Sequence, residues 1–258
     1  LRQNIVIPFV REDLIPVVYT ELEKLGFTEL GYNKAVDITA CPGTDTCNLG
    51  ISSSTGIARE LETVIKTEYP EYLNNKDLVI KISGCMNACG QHNMANIGFQ
   101  GMSIKTKNNL VAPALQVLLG GGNSGNGIGR FADKVIKVPS KRGPQALRII
   151  LDDYQLNSDQ KTFYDYYTIQ GEKYFYNLLK SLSDSSNLAD DEYIDWGSKA
   201  TYKKAIGVGE CAGVVIDLIS TLFLESDEKI MSARADFESK SYNNAIYFAY
   251  SSMVNSAK

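Results

Sequence analysis

Positive charge is not in excess in this 258-residue chain: 26 Lys and Arg stand against 30 Asp and Glu, for a net charge of −4 and a pI near 5.2. A nucleic-acid-binding protein needs a basic face, so that class of partner is set aside. Long apolar runs are missing too. None reaches the roughly 18 residues of a membrane span. No charged-then-apolar leader opens the chain. It starts at Leu1 rather than Met, which reads as a fragment boundary. Histidine occurs once, at His92, so imidazoles alone cannot build a metal cluster site. Cysteine occurs five times, an odd number and too few for a disulfide scaffold of this length. A reducing, cytoplasmic setting is expected, and there grouped cysteines serve metals or catalysis. The remaining composition is ordinary: 44% hydrophobic and 22% charged residues. That excludes wholesale disorder and allows one or two domains with a buried core.

Periodicity supplies the elements. Gln3 to Phe9 alternates as a strand, with Ile5 and Ile7 on one face. Glu12 to Leu25 carries Leu14, Val17, Val18, Leu22 and Leu25 at helical spacing, and Gly26 offers a stop. One strand and one helix cannot bury their apolar faces alone. Residues 35–40 suggest a short strand, and residues 49–69 a helix with Leu61 and Ile65 on one face. Leu78, Ile80 and Ile82 alternate as a strand. Residues 97–104 and 110–119 read as two more, joined by a hairpin at Lys107-Asn108-Asn109. A Gly-rich loop follows at 120–129, then a strand at 135–138 and a helix that Pro144 can start. Beyond residue 160 the chain turns aromatic and helical. Residues 181–191 read as a polar linker, and residues 199–258 as helical again. The pattern is α+β with a mixed sheet.

The cysteines stand in two pairs. Cys41 and Cys47 have five residues between them, Cys85 and Cys89 have three, and 37 residues separate the pairs. Pro42, Gly43 and Gly84 are loop residues beside the thiols, able to aim backbone N–H groups at sulfur. On spacing alone three readings stay open. The cysteines can be buried free thiols, a structural Cys₄ zinc site, or the ligands of an iron–sulfur cluster. The second and third include a non-catalytic protein whose metal only holds the fold.

The letters around the pairs narrow the choice. CPGTDTCNLG followed by SGCMNACGQHNMANIGFQG resembles the signature of the sirohaem-dependent sulfite and nitrite reductases. In that family Cys-x5-Cys precedes Gly-Cys-x-Asn-x-Cys-Gly by a few dozen residues. The run Ala95-Asn96-Ile97-Gly98-Phe99 and the segment PALQVLLGGG extend the likeness to about Leu178, and Leu1-Arg2-Gln3-Asn4 resembles the end of a family strand. The resemblance implies a 4Fe–4S cluster on Cys41, Cys47, Cys85 and Cys89, with Cys89 bridging to sirohaem and Asn87 lying against it. It implies six-electron reduction of sulfite to sulfide or of nitrite to ammonia. The family's basic cage for the oxyanion substrate lies in its N-terminal half. The resemblance therefore implies that this chain is a C-terminal portion, not active alone and without a complete catalytic set. Its partners would be the N-terminal half of the same enzyme and an electron donor such as ferredoxin or a reductase. The expected domains are the end of a ferredoxin-like half-domain at 1–32, the sirohaem and cluster domain at 33–180, and a helical appendage at 190–258.

Other features have plainer readings. Gly120 to Gly129 is neither a P-loop nor a dinucleotide fingerprint. It reads as a turn or, through the family alone, as a sirohaem contact, with Arg130 a candidate partner for a sirohaem carboxylate. His92 reads as a polar residue near the cofactor loop, and Cys211 as a buried thiol. Lys134, Lys137, Lys141 and Arg142 read as a lysine-rich strand edge. Phe163, Tyr164, Tyr166, Tyr167, Tyr174, Phe175 and Tyr176 read as an aromatic helix packed on the core, since the region is not basic. SYNNAIYFAYSSMVNSAK resembles the helical HEPN-type domains, but lacks their Arg-x4-6-His motif. A packing or dimerising appendage is expected there.

Overall fold

Two short parallel strands end at the two cysteine motifs, and the sheet grows outward from them. In this computed structural model residues 5–28, 31–106, 110–123, 127–203 and 218–256 are described. The chain divides into two units, Leu1–Gly207 and Val208–Lys258.

The sheet of the first unit holds β1 (Thr39–Ala40), β2 (Ile80–Ser83), β3 (Ile97–Lys105), β4 (Val111–Leu119) and β7 (Asp133–Pro139), in that spatial order. β1, β2 and β3 run parallel, and β4 and β7 continue the sheet antiparallel. Between β4 and β7 a two-stranded ribbon forms from β5 (Gly122–Asn123) and β6 (Gly129–Arg130). The β3–β4 pair is the longest ladder, running from Ile97 opposite Leu119 to Lys105 opposite Val111. Residues 107–109, the expected hairpin turn, lie outside the described residues.

Alternation assigns the two faces of the sheet. Ile80 and Ile82, Ile97 and Phe99, and Leu115, Val117 and Leu119 join one core with two long helices. The first is α2 (Ser54–Glu68), which buries Ile57, Leu61, Val64 and Ile65. The second is α3 (Gly143–Asn157), which starts with a proline in its first turn and buries Leu147, Ile150 and Leu151. Among the intervening positions Lys81, Ser83 and Gln100 are polar and still buried. β7 is an edge strand, so Lys134 and Lys137 lie on a charged edge of the kind that discourages strand pairing.

The aromatic segment packs as expected but does not form one helix. It breaks into α4 (Phe163–Gln170) and α5 (Glu172–Leu179) at Gly171, whose φ of +79° lies in the left-handed region. The break turns α5 back, so that Phe175 stacks on Tyr167 and meets Phe163 and Tyr166. Their hydroxyls find carboxylates: Tyr167 donates to Asp133 at 2.9 Å, Tyr174 to Asp153 at 2.8 Å, and Tyr166 also to Asp153.

At the N-terminus the outcome differs from the sequence pattern. Of the expected strand and helix, only the helix forms: α1 (Ile15–Lys24), preceded by a 3₁₀ turn at Glu12–Leu14. Residues 5–11 adopt no strand. A strand needs a neighbour to take its N–H and C=O groups. α1 itself buries no residue.

The stretch read as a polar linker is part of the folded unit. Arg142 grips Glu192 through two nitrogens, at 2.6 and 3.1 Å, and donates to the Leu182 and Asp184 carbonyls at 3.0 and 2.6 Å. Asp195 accepts from the Ser53 N–H at 2.7 Å, and the Tyr202 hydroxyl donates to the Ile51 carbonyl at 2.7 Å. Lys141 sits 4.0 Å from the Trp196 ring centroid, and the Trp196 indole donates to the Ser140 carbonyl at 3.0 Å. Burial pushes the Asp195 carboxyl up from its ordinary value, and the Ser53 and Trp196 N–H groups draw it back. Residues 182–202 thus form a strap over the turn that leads into α3 and over the start of α2. The Arg142 and Glu192 side chains are only 20% and 10% exposed. Arg142→Ala leaves that carboxylate without its partner and is expected to cost about 3–5 kcal/mol of unfolding free energy. Urea unfolding checks this, and a loss below about 1 kcal/mol, the worth of a surface pair, would count against a buried clasp.

The second unit is a helical hairpin of α6 (Leu218–Glu238) and α7 (Tyr242–Ser256). Ser226 and Ser252 meet between the helices, their hydroxyls 2.7 Å apart. Cys211 lies outside the described residues. No described helix is long and apolar enough to cross a membrane.

Candidate functional site

Parallel neighbours finish at the same end of a sheet, and loops leaving that end can converge. β1 and β2 are such neighbours, with Ala40 opposite Ile82. Cys41 follows β1 directly and its N–H donates to the Ile82 carbonyl at 3.2 Å. Cys85 follows β2 after a single residue, Gly84. The spacing in the sequence therefore becomes one place in the fold.

Glycine lets the two loops touch. A Cβ on Gly84 would stand 2.7 Å from the Gly43 Cα and 2.8 Å from the Ser52 carbonyl oxygen, both too close for a real side chain. Freed of that clash, the Gly84 N–H reaches the Cys41 sulfur at 3.1 Å. Ser54, in the first turn of α2, donates to the Cys41 carbonyl at 2.6 Å, and its hydroxyl lies 3.5 Å from the Cys41 sulfur. Ser54 was not singled out from the sequence. The only hint was the serine run Ser52-Ser53-Ser54 before the apolar periodicity of α2, which is a helix-start signal as much as a site signal.

All four cysteines are free thiols, graded in exposure: Cys41 and Cys85 are buried, Cys47 is half-buried and Cys89 is exposed. Burial pushes the Cys85 thiol up, a backbone hydrogen bond from Asn87 lowers it, and charge on Cys41, Cys47 and Cys89 raises it again. Cys85 thus lies within electrostatic reach of Cys41, Cys47 and Cys89. Four thiolates gathered this way repel unless a cationic centre binds them.

The donor set is all sulfur, as in a Cys₄ zinc site or an iron–sulfur cluster. A single zinc holds four thiolates about 3.8 Å apart, given bonds of about 2.3 Å in a tetrahedron. Among the described residues no three or more His, Cys, Asp or Glu side chains gather closely enough for one metal ion. A four-iron cluster distributes its thiolates over different irons, so its ligands stand farther apart. Soft donors only and N–H groups aimed at sulfur suit a cluster.

The other sequence candidates fall in different surroundings. Asn87 is exposed, in the turn between Cys85 and Cys89. His92 is buried in a 3₁₀ turn, with its Nδ1 unpartnered among the described residues. Burial pulls its imidazole below the ordinary value of 6.5, a hydrogen bond with Gln100 works the other way, and the Lys134 charge lowers it further. Arg130 ends β6 and is held by the Gly120 carbonyl at 2.6 Å. Its guanidinium carbon lies 5.2 and 4.9 Å from the Tyr164 and Tyr167 ring centroids. One of its nitrogens, Nη2, is buried without a partner among the described residues, so the side chain keeps one donor for an anion. Asn96 ties the Gly-rich loop to β2: its side chain accepts from the Val79 N–H at 2.8 Å and donates to the Gly121 carbonyl at 3.1 Å. Residues 124–126 of that loop lie outside the described residues.

Comparison with known proteins bears on the same stretch. The family model for the nitrite and sulphite reductase 4Fe-4S domain matches residues 31–166. The anaerobic sulfite reductase of Salmonella typhimurium has a component that is 31% identical over 98 residues, covering 37% of this chain and 26% of that component. A ferredoxin sulfite reductase of Mycolicibacterium paratuberculosis is 28% identical over 131 residues, which is 50% of this chain and 24% of that protein. The chloroplastic ferredoxin–nitrite reductase of Oryza sativa is 27% identical over 123 residues, which is 47% of this chain and 20% of that protein. This chain thus spans about a quarter or less of the length of each of these relatives. The solved structure of the NirA protein of Mycobacterium tuberculosis superposes with a TM-score of 0.53 at 20% identity, over 64% of this chain and 31% of that one. That likeness is one of fold.

Proposed function

Because this chain belongs to the nitrite and sulphite reductase 4Fe-4S domain family, whose cofactors are a 4Fe–4S cluster and sirohaem, we propose that it is the cofactor-bearing part of a six-electron reductase. The substrate class is a small oxyanion, sulfite or nitrite. The observation that carries this reading is the convergence of two cysteine loops at the ends of β1 and β2. The cluster and sirohaem supply the electron path and the iron at which the anion is reduced.

The chain's own residues have distinct parts in the proposal. Cys41, Cys47, Cys85 and Cys89 hold the cluster. Cys89 is the bridge toward sirohaem, and its exposure, the greatest of the four, suits a thiolate shared with a second group. The Gly84 N–H orients the Cys41 sulfur, and the backbone hydrogen bond from Asn87 works against the burial that raises Cys85. The Asn87 side chain lies against the tetrapyrrole. Arg130 offers its unpaired nitrogen to a sirohaem carboxylate. None of these residues is a proton donor to the substrate. That role, with the basic groups that hold the anion, falls to the remainder of the enzyme. An electron donor, ferredoxin or a separate reductase, completes the assembly, and the setting is the cytoplasm.

Anaerobic purification with iron, acid-labile sulfide, zinc and absorption measurements tests the proposal. About four iron and four sulfide per chain, with a tetrapyrrole band, is the expected result. Stoichiometric zinc in place of iron would replace the reductase reading with a structural one.

A further inference from the structure

The hairpin α6–α7 closes through small side chains. Ser226, Ala245 and Ser252 are its buried residues among those described, and a second hydrogen bond links Ser252 Oγ to the Ser226 carbonyl at 2.9 Å. Small residues let two helices approach, but they bury little apolar area. The large residues are elsewhere. On α7, Tyr242, Ile246, Tyr250 and Met253 fall within an arc of about 80° at the helical repeat. On α6, Phe223, Ile230 and Phe237 recur every seven residues, the spacing of a helix–helix seam. All seven side chains are exposed, by 42–69%. Most of them border a groove of about 610 Å³ between the helices, whose floor includes Ala233, Ala245 and Ala249.

We propose that this face is the contact between two copies of the chain, joined hairpin to hairpin as a four-helix bundle. Three observations select a second copy as the occupant. Among the described residues this two-helix layer has a small-residue interior and no apolar core, and a second such layer supplies one. The area suffices: taking on the order of 150–250 Å² for an aromatic side chain, the seven residues expose roughly 700 Å², near the about 800 Å² per partner of a stable interface. The charge permits it as well. The groove carries one cation and one anion, Arg234 and Glu238, and α7 carries no charged residue at all. Such a face does not repel its own copy, and a two-fold pairing brings the same patch to both sides. Its one lining cation, Arg234, is matched by Glu238, unlike the cation-rich polar face by which a helix settles on an anionic membrane.

Sedimentation of the full chain across micromolar concentrations tests this. The wild-type chain is expected to sediment as a dimer. Ile246→Glu and Phe237→Glu each place a charge on the seam and are expected to raise the dimer dissociation constant at least 100-fold. Helical circular dichroism should be unchanged, since both side chains are already in solvent. A wild-type chain that is monomeric at about 100 μM, alone or on vesicles of anionic lipid, overturns the proposal. So does a dimer that persists in both variants, which would place the contact elsewhere. Neither readout depends on the cluster, so the outcome is separate from that of the reductase proposal.

Discussion

Cys85→Ser is expected to empty the site. Iron and acid-labile sulfide should fall from about four each per chain to near zero. Serine oxygen is a hard, weakly acidic donor and cannot replace a thiolate on iron. The position magnifies the effect. Cys85 is buried, receives a backbone hydrogen bond from Asn87, and sits among Cys41, Cys47 and Cys89. Without its sulfur one corner of the cluster has no ligand. Cys41→Ser should do the same and should also remove the acceptor of the Gly84 N–H. Cys211→Ser is the control and should keep its iron. A Cys85→Ser chain that retains its iron, with circular dichroism confirming a folded protein, would show that the four cysteines are not the ligand set.

Alkaline pH should unfold the first unit steeply. Tyr69, Tyr72, Tyr166 and Tyr167 are each at most 8% exposed. Burial pushes their phenols up from 10, Tyr72 to about 12 and the other three beyond. Carboxylates reinforce the shift, Asp152 on Tyr69, Asp153 on Tyr166 and Asp133 on Tyr167. The folded chain therefore holds these protons where the unfolded chain has lost them. Below pH 10 the difference contributes nothing. As pH rises through 10 it destabilises the fold, by about 1.4 kcal/mol per tyrosine at pH 11. Four tyrosines give about 5–6 kcal/mol, comparable with the 5–15 kcal/mol that holds a typical domain together. Denaturant midpoints measured from pH 8 to 11.5 check this. The midpoint should hold to about pH 10 and then collapse, with phenolate absorption rising together with the loss of structure. A midpoint still flat at pH 11 would mean that these hydroxyls reach solvent.

Much of the sheet and the two cysteine pairs as a candidate site were legible in the sequence, because both are written in local spacing. Ile80 and Ile82 alternate, Leu61 and Ile65 recur at helical distance, and the thiols stand in pairs flanked by Gly43 and Gly84. The strap was not legible. Residues 182–202 carry no periodic apolar pattern, and what fixes them is a few polar contacts to distant residues, such as Arg142 to Glu192 and Ser53 to Asp195. Composition alone makes such a segment look like a linker. The break at Gly171 was hidden for a different reason. The aromatic run around it supports helix on both sides, and a single glycine signals a stop only weakly. The alternation at residues 5–9 misled in the opposite sense, since a period of two specifies a strand only when another strand is there to receive it.

The strap also bears on the order in which the chain acquires its structure. Its contacts join residues far apart in sequence: 142 positions separate Asp195 from Ser53, and 151 separate Tyr202 from Ile51. Only five residues separate the ends of β3 and β4 in sequence. Loop-closure entropy therefore favours the hairpin as an early event and leaves the strap among the last contacts to form. Late contacts of this kind, few in number and closing long loops, open before the β3–β4 ladder does. Amide exchange at Ser53, whose N–H is capped by Asp195, should then outpace exchange in β3 by orders of magnitude. The first cysteine loop would be unlatched transiently while the sheet beneath it stays intact.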